Sequence, residues 1–362
     1  MKKEKLNIIF IIPSLAAGGA ERILSFVAQN LNQDKFNTTL LVTGFEKNTV
    51  YKLDNLNIVY LNKPRVLKAY FSIFKFLKKE KPDVVISSIV HLNMIIASMS
   101  PFFKHTKFVA REANVLSVLN KYNTSSSIFY SEKLITFSYN LVDCILCQSK
   151  DMKADVINYF NIPEEKTALI NNPITNNFEL KPNTKTKNET IRFISIGRLS
   201  KEKGHLRIIE ALAELDFDFH YTLIGKGVEK ENVFKAIDKA GIQDQVTYIE
   251  YTKDVDKHLI NSHLFLQGSY VEGFPNVLIE SCVVGTPVLA FNAPGGLDEI
   301  IEVGKNGYIA NTKEAYLDYL NAINSNYPFI PETVRNIVVE RFNKKKIISK
   351  YESLFLNLSN SN

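Results

Sequence analysis

The sequence contains little cysteine and no long apolar run, and each shortage excludes a class of protein. Three cysteines in 362 residues are too few for a disulfide framework, and they indicate a reducing compartment. No uninterrupted apolar run approaches the ~18 residues that a membrane-spanning helix needs. We therefore expect a cytoplasmic protein that does not cross a membrane.

Two further patterns resemble functional signals but fail on their context. Cys144 and Cys147 have C-x-x-C spacing, yet they lie in an apolar run that predicts a buried strand, whereas a redox pair needs an exposed helix start. The basic N terminus and the apolar stretch after it imitate a signal peptide, but Asn7 and Pro13 interrupt that stretch. We expect neither pattern to carry function.

Length and charge indicate two domains of different character. The chain exceeds what one compact core usually holds, so we predict two domains joined by a polar linker from Asn171 to Asn188. Residues 1–178 carry 22 Lys and Arg against 14 Asp and Glu, a net charge of +8, and residues 179–362 carry 22 against 24, or −2. A basic first half favours an anionic partner, such as a membrane surface or a phosphate-bearing acceptor, although many basic halves have no partner.

Residues 264–291 predict a strand, a polar loop, a short helix and a second strand around two carboxylates. Pro275 suits the first turn of the helix, and Gly285 ends it. In such units ligands lie beyond the carboxyl ends of the strands, where the next helix presents free N–H groups. Glu272 precedes the helix and Glu280 lies within it. The pair suits a nucleotide-sugar, with the hexose at Glu272, the diphosphate at the helix start and the ribose at Glu280.

Two motifs in this half resemble those of a known family. The spacing of Glu272 and Glu280 is similar to the E-x7-E motif of retaining GT-B glycosyltransferases of family 4. The octet that opens the second half resembles the family's G-R-L-x-x-x-K-G signature, and it reads Gly197-Arg198-Leu199-Ser200-Lys201-Glu202-Lys203-Gly204. The resemblance implies an α/β GT-B fold, in which two Rossmann-like parallel-sheet domains face each other across a cleft. Residues 1–175 would form the acceptor domain, joined by a C-terminal helix of about residues 345–362, and residues 176–344 the donor domain.

The resemblance also implies roles for individual residues of the donor domain. Arg198 and Lys203 would neutralise the leaving diphosphate, a task that suits a planar fork of donors and a point charge. Glu272 would act with them in catalysis and hold the sugar, and Glu280 would hold the ribose. The donor-binding residues implied are Gly19, Gly197, Gly225, Gly273, Phe274, Pro275, Asn276, Val277 and Glu280. No metal and no cofactor are expected besides the nucleotide-sugar.

Four features of the first half extend the prediction. Gly18 and Gly19 follow the first strand, and they resemble the family's glycine loop near the acceptor and the donor phosphate. His91 follows a later strand, where the family places a catalytic histidine, although a structural histidine is equally expected. Arg111 is a candidate for binding an acceptor phosphate. The basic amphipathic segment 65–79 suits either an anionic membrane or, as the preferred interpretation, packing against its own sheet.

These observations converge on one hypothesis and two alternatives. We expect a metal-independent retaining transferase that moves a hexose or N-acetylhexosamine from a nucleotide-sugar, with a UDP-sugar as the favoured donor. Its acceptor would be a lipid-linked or other glycan in cell-surface polysaccharide synthesis at the inner face of the membrane. Glu250 departs from the glycine usual beside the base, so uracil and guanine both stay open. The alternatives are a sugar-nucleotide 2-epimerase and a non-catalytic assembly protein on a decayed GT-B scaffold, and no nucleic-acid partner is expected.

Overall fold

The chain divides into two compact units, Met1–Thr175 with Lys344–Asn362, and Asn176–Asn343. The computed structural model describes residues 5–16, 18–50, 53–122, 131–182, 185–186 and 189–360. The first lysines of the N-terminal stretch and four residues of the predicted linker lie outside the described residues.

The first unit contains a parallel sheet. Its strands are β1 (Leu6–Ile12), β2 (Phe36–Val42), β3 (Asn57–Tyr60), β4 (Val84–Ser88), β5 (Lys107–Arg111), β6 (Cys144–Cys147) and β7 (Thr167–Leu169). Its helices are α1 (Gly19–Asn30), α2 (Tyr70–Glu80), α3 (Val90–Ala97), α4 (Leu116–Leu119), α5 (Glu132–Leu141), α6 (Lys150–Asn158) and α14 (Lys344–Asn360). The strand order is β3-β2-β1-β4-β5-β6-β7. The order reverses between β1 and β4, and such a switch point is where doubly wound sheets bind ligands.

The core of this unit depends on both ends of the chain. β1 is an almost continuous apolar run, as expected for a parallel strand that is buried on both faces. The fully buried Phe355 of α14 packs its ring edge-on against Phe10, at 6.0 Å between centroids, and against Phe36 at 6.4 Å. Glu352 Oε1 also accepts a hydrogen bond of 2.8 Å from the backbone N–H of Asn32. The last helix therefore completes the core that the first strands begin.

The second unit repeats the same winding. Its strands are β8 (Ile191–Ile196), β9 (Phe219–Ile224), β10 (Val246–Ile249), β11 (Leu264–Gln267), β12 (Val288–Phe291) and β13 (Gly307–Ala310). Its helices are α7 (His205–Leu212), α8 (Lys230–Ala240), α9 (Val255–Ile260), α10 (Asn276–Val283), α11 (Leu297–Ile300), α12 (Lys313–Ser325) and α13 (Pro331–Phe342). The parallel order is β10-β9-β8-β11-β12-β13, so the switch point lies between β8 and β11.

Two predicted elements differ from those observed. The pattern of residues 332–357 predicts one long helix, but the structure has two, α13 and α14, because the backbone leaves the helical conformation at Asn343, where ψ is 146°. Segment 65–79 forms α2 after a short 3₁₀ turn, Val66–Ala69. The preferred interpretation, that its apolar stripe faces the sheet, holds for the buried Leu77 but is wrong for Leu67 and Phe71, which are 63% and 83% exposed.

The described ends of the predicted linker are packed. Asn172 accepts a hydrogen bond from Arg111 within the first unit, and Lys181 is buried in the second. The Lys181 ammonium donates to the carbonyl of Ser262 at 2.6 Å, and burial lowers the pKa of this lysine to about 8. None of the helices that the structure describes combines the length and the apolarity that a membrane span requires.

Candidate functional site

The switch point of the second unit brings two predicted motifs together. The G-R-L octet follows β8, and the E-x7-E motif follows β11. These neighbouring strands end at the same edge of the sheet. The two loops touch at Gly204 and Gly268, where a Cβ on Gly204 would lie 1.9 Å from the carbonyl oxygen of Gly268. Gly204 also has a φ of +59°, so both the conformation and the close approach require glycine here.

This contact places Lys203 against Glu272. The Lys203 ammonium donates to Oε1 of Glu272 at 2.6 Å, and the Ser269 hydroxyl donates to the same oxygen at 2.6 Å. The side-chain amide of Gln267 adds a third hydrogen bond at 3.2 Å. Glu272 is 8% exposed, so these donors hold a nearly buried carboxylate in one orientation.

Arg207 holds the loop that carries Glu272, and the sequence motifs did not identify it. Its guanidinium donates to the carbonyls of Gly268, at 2.6 Å, and of Ser269. The same group lies over the rings of Tyr270 and Phe291, 4.1 and 4.2 Å from their centroids. Cation–π contacts with two rings and hydrogen bonds to two carbonyls fix the start of the loop. Its place on α7, three residues after Gly204, was the available signal.

Arg198 lies apart from this cluster. Its side chain is 75% exposed, and its guanidinium lies 3.7 Å from the carboxylate of Glu202. The Arg198 carbonyl accepts a hydrogen bond of 3.0 Å from Nε2 of His205, whose pKa is lowered by burial. The backbone of Arg198 is therefore anchored while its charge faces solvent.

Gly197 and Gly225 end the neighbouring strands β8 and β9 in a tight contact. A Cβ on Gly225 would lie 1.8 Å from the Gly197 carbonyl oxygen, and Gly225 has a φ of +151°. A Cβ on Gly197 itself would meet no described atom within 4 Å. The backbone at Gly197 is thus open on its Cα side, as the approach of a nucleotide would require. Beyond β10, Glu250 pairs with Lys230 at 3.3 Å, with both side chains largely exposed.

The remaining predicted donor residues surround the start of α10. The helix begins at Asn276, one residue later than predicted, with Pro275 as its N-terminal cap. Gly273 is buried, and Phe274 is 6% exposed and packs its ring on Phe342 at 5.4 Å. The side chain of Phe274 therefore belongs to the core. The half-buried residues of the helix are Asn276, Val277 and Glu280.

The loop after β12 closes against Glu272. The backbone N–H of Glu272 donates to the Pro294 carbonyl at 2.9 Å. Gly295 has a φ of +127°, and a Cβ there would lie 2.5 Å from the carbonyl oxygen of Glu272. The loop of Pro294 and Gly295 therefore lies beside the first glutamate of the motif. No group of three or more His, Cys, Asp or Glu that could hold a metal ion occurs among the described residues.

In the first unit, two predicted sites follow the neighbouring strands β1 and β4. Gly18 caps α1 with extended backbone, and Gly19 is the first residue of that helix. His91 lies half-buried at the start of α3, and burial lowers its pKa, which favours the neutral imidazole. Ile89, two residues earlier, has a φ of +78°, a strained conformation for a β-branched residue.

The structure buries Arg111, the predicted acceptor residue. It is 1% exposed, and its guanidinium donates to the Ser88 hydroxyl at 3.2 Å and to Asn172 Oδ1 at 2.7 Å. In this conformation it offers no surface to an acceptor, so direct binding would require the side chain to move. Its neighbour Glu112 is buried too, accepts hydrogen bonds from Tyr139 and Asn93, and has its pKa raised to about 7 by burial.

Comparison with known proteins finds a family model that matches each half of the chain. The model of the group 1 glycosyl transferases matches residues 176–341, and that of glycosyltransferase family 4 matches residues 17–177. A Campylobacter jejuni protein is 28% identical over 82% of this chain and 83% of its own length, and it is named N-acetylgalactosamine-N,N'-diacetylbacillosaminyl-diphospho-undecaprenol 4-alpha-N-acetylgalactosaminyltransferase. The lipopolysaccharide core biosynthesis glycosyltransferase LpsE of Rhizobium meliloti is 23% identical over 93% of this chain and 95% of its own.

Solved structures match the fold over nearly the whole chain. The apo form of the lipopolysaccharide outer core galactosyltransferase WaaB aligns with a TM-score of 0.78 at 19% identity, covering 97% of this chain and 99% of that one. HepE of Anabaena, in complex with UDP and glucose, aligns with a TM-score of 0.79 at 17% identity, covering 97% and 100%. With the two parallel sheets, these likenesses show that the fold is GT-B.

Proposed function

Because the chain belongs to the family 4 glycosyltransferases, we propose that it is a metal-independent, retaining enzyme that uses a UDP-sugar. It transfers a hexose or N-acetylhexosamine to a lipid-linked or other glycan acceptor in bacterial cell-surface polysaccharide or glycoconjugate synthesis. The observation that carries the proposal is the contact of Lys203 with the nearly buried Glu272 at the switch point. It joins a cation suited to phosphate and a carboxylate suited to sugar hydroxyls.

The donor and acceptor classes take support from the relatives. HepE was crystallised with UDP and glucose, and the Campylobacter jejuni relative is named for a diphospho-undecaprenol substrate and the transfer of N-acetylgalactosamine. WaaB and LpsE are named for lipopolysaccharide core synthesis. These names agree with a nucleotide-sugar donor and an acceptor at the cell surface, to which the basic first half of the chain is electrostatically suited.

In the proposed reaction the bond between the anomeric carbon and the diphosphate oxygen breaks, and a bond to the acceptor oxygen forms on the same face. The acceptor's proton passes to the departing phosphate. Lys203 and Arg198 stabilise the charge that develops on that phosphate, an effect typically worth ~2.7–4 kcal/mol per donor. The Lys203 ammonium has three N–H donors, so it can keep its bond to Glu272 while it binds phosphate. Glu272 orients the sugar, and Glu280 binds the ribose.

Calorimetric titration with UDP, GDP and their sugar conjugates tests this assignment. We expect one nucleotide series to bind tightly, and Glu280→Ala to weaken it roughly tenfold through loss of the ribose contact. Glu332→Ala, at an exposed position on α13, is the matched control and should bind as wild type does. Failure of every nucleotide to bind would contradict the donor assignment, and conversion of the nucleotide-sugar to an epimer without acceptor would contradict transfer.

A further inference from the structure

The outward side of α2 exposes apolar side chains that a soluble domain normally covers. Phe71 is 83% exposed, and Leu67, in the turn before the helix, is 63% exposed. Phe102, in the neighbouring 3₁₀ turn Ser100–Phe102, is 68% exposed and meets the half-buried Phe74 edge-on, at 5.8 Å between ring centroids. These side chains form one apolar surface, and exposed patches of this kind mark interaction sites.

Lysines share this side of the helix. At ~100° per residue, Phe71, Phe74, Lys75 and Lys78 fall within an arc of roughly 100°. Ile73 is buried on the other side of α2, against the unit's own core. The outward side of the helix therefore carries aromatic rings and ammonium groups together, and we call this side the strip.

The positive charge of this region is not balanced locally. Residues 63–81 carry seven Lys and Arg against a single acidic residue, Glu80. That glutamate pairs with Lys79 at 3.1 Å, in an exposed contact. Lys75 and Lys78 form no ion pair with any residue that the structure describes. The strip is thus free to attract an anionic partner.

We propose that this basic aromatic surface, made by Leu67, Phe71, Phe102, Lys75 and Lys78, docks the protein on a bilayer that contains anionic lipid. Rings would enter the interface while the lysines meet lipid phosphates, which is the mode of interfacial amphipathic helices. A second copy of this chain is a poorer occupant, because a two-fold contact would oppose the same lysines. The inference deepens the proposed function, since a lipid-linked acceptor lies in such a bilayer, but docking needs neither donor nor acceptor.

Sedimentation with extruded vesicles tests the charge requirement on the full chain. We expect binding to vesicles of phosphatidylcholine with phosphatidylglycerol, little binding to phosphatidylcholine alone, and weakening of binding by salt. Lys75→Glu with Lys78→Glu should lower the partition coefficient at least roughly tenfold. The matched control is Lys235→Glu with Lys239→Glu, which changes the net charge equally on exposed positions of α8 and should retain binding.

The absence of tryptophan from the chain allows a direct test of insertion. Phe71→Trp places one fluorophore on the surface, and its emission should shift to the blue when anionic vesicles are added. Tyr251→Trp is the control, because Tyr251 is 58% exposed but belongs to the second unit, and its emission should stay unchanged. A separate Phe71→Ser variant should lose vesicle binding, while its melting temperature should stay close to that of wild type.

Three outcomes would overturn the proposal. These are a failure of the wild-type protein to bind anionic vesicles at low salt, equal losses of vesicle binding in the two lysine double variants, and an unchanged emission of the Phe71→Trp variant when vesicles are added. An acidic protein or nucleic acid as the true partner would produce the first of them. The test uses no nucleotide, so normal nucleotide binding without vesicle binding would reject the surface and leave the transferase assignment intact.

Discussion

At the scale of single residues, one buried carboxyl group lies in an environment that disfavours its ionised form. Glu112 is 1% exposed, its Oε1 accepts hydrogen bonds from Tyr139 and Asn93, and its Oε2 has no described partner. Burial is the main cause that raises its pKa to about 7 from an ordinary 4.5. The native state therefore holds a proton that the unfolded chain releases between these two values.

Stability should thus fall as pH rises through this window. The native state binds more protons than the unfolded state between pH 4.5 and about 7, so this group removes on the order of 3 kcal/mol from the free energy of unfolding by pH 8. Glu112→Gln carries no ionisable group and should lose less stability between pH 5 and pH 8. Urea unfolding at both values, with the exposed Glu332→Gln as control, measures the difference. Parallel pH profiles for wild type and Glu112→Gln would contradict the assignment.

At the scale of elements, two loops cross at a pair of glycines and thereby set the distance between two side chains. Gly204 ends the octet and caps α7, while Gly268 follows β11, and their backbones touch. Because Lys203 and Glu272 lie next to this crossing, its closeness controls their 2.6 Å contact. Substitutions at Gly204 and at a second glycine, Gly241, can separate the effect of backbone conformation from that of close approach.

Gly204→Ala and Gly241→Ala form a matched pair. Both glycines have positive φ, +59° and +69°, but a Cβ on Gly241 meets no described atom within 4 Å. We expect Gly241→Ala to cost about 1 kcal/mol of stability through its backbone conformation alone. Gly204→Ala should cost several kcal/mol, because its Cβ would overlap the Gly268 carbonyl, and should weaken donor binding roughly tenfold. Thermal unfolding and calorimetry compare the two, and equal losses would refute the role of the crossing.

Local patterns predicted most elements, and long-range contacts explain the rest. The apolar-rich segments Leu6–Ile12 and Ile191–Ile196 predict two buried parallel strands, and β1 and β8 have these bounds. Arg207 was missed, since its acceptors lie 61 and 62 residues further along the chain and only strand pairing brings them near. The break at Asn343 was missed as well, because the helical pattern continues on both sides of it.

At the scale of the whole molecule, the first unit owes its core to a helix from the far end of the chain. Phe355 on α14 is fully buried against Phe10 and Phe36. We expect Phe355→Ala to cost ~3–5 kcal/mol through the cavity it leaves. Hydrogen exchange should then accelerate in peptides of β1 and β2, while peptides of β8 and β11 keep their protection. Uniform acceleration in both units would contradict an effect confined to the first.

The position of α14 also determines when the first unit can be finished during synthesis. The backbone N–H of Asn32 donates a hydrogen bond to Glu352, 320 residues later in the chain, so this contact is absent until the ribosome has added residue 352. Part of the apolar surface of nascent β1 and β2 therefore stays uncovered while residues 176–343 are synthesised. Contacts of such sequence separation form slowly. We therefore expect the nascent chain to benefit from a chaperone that shields Phe10 and Phe36 until α14 has been made.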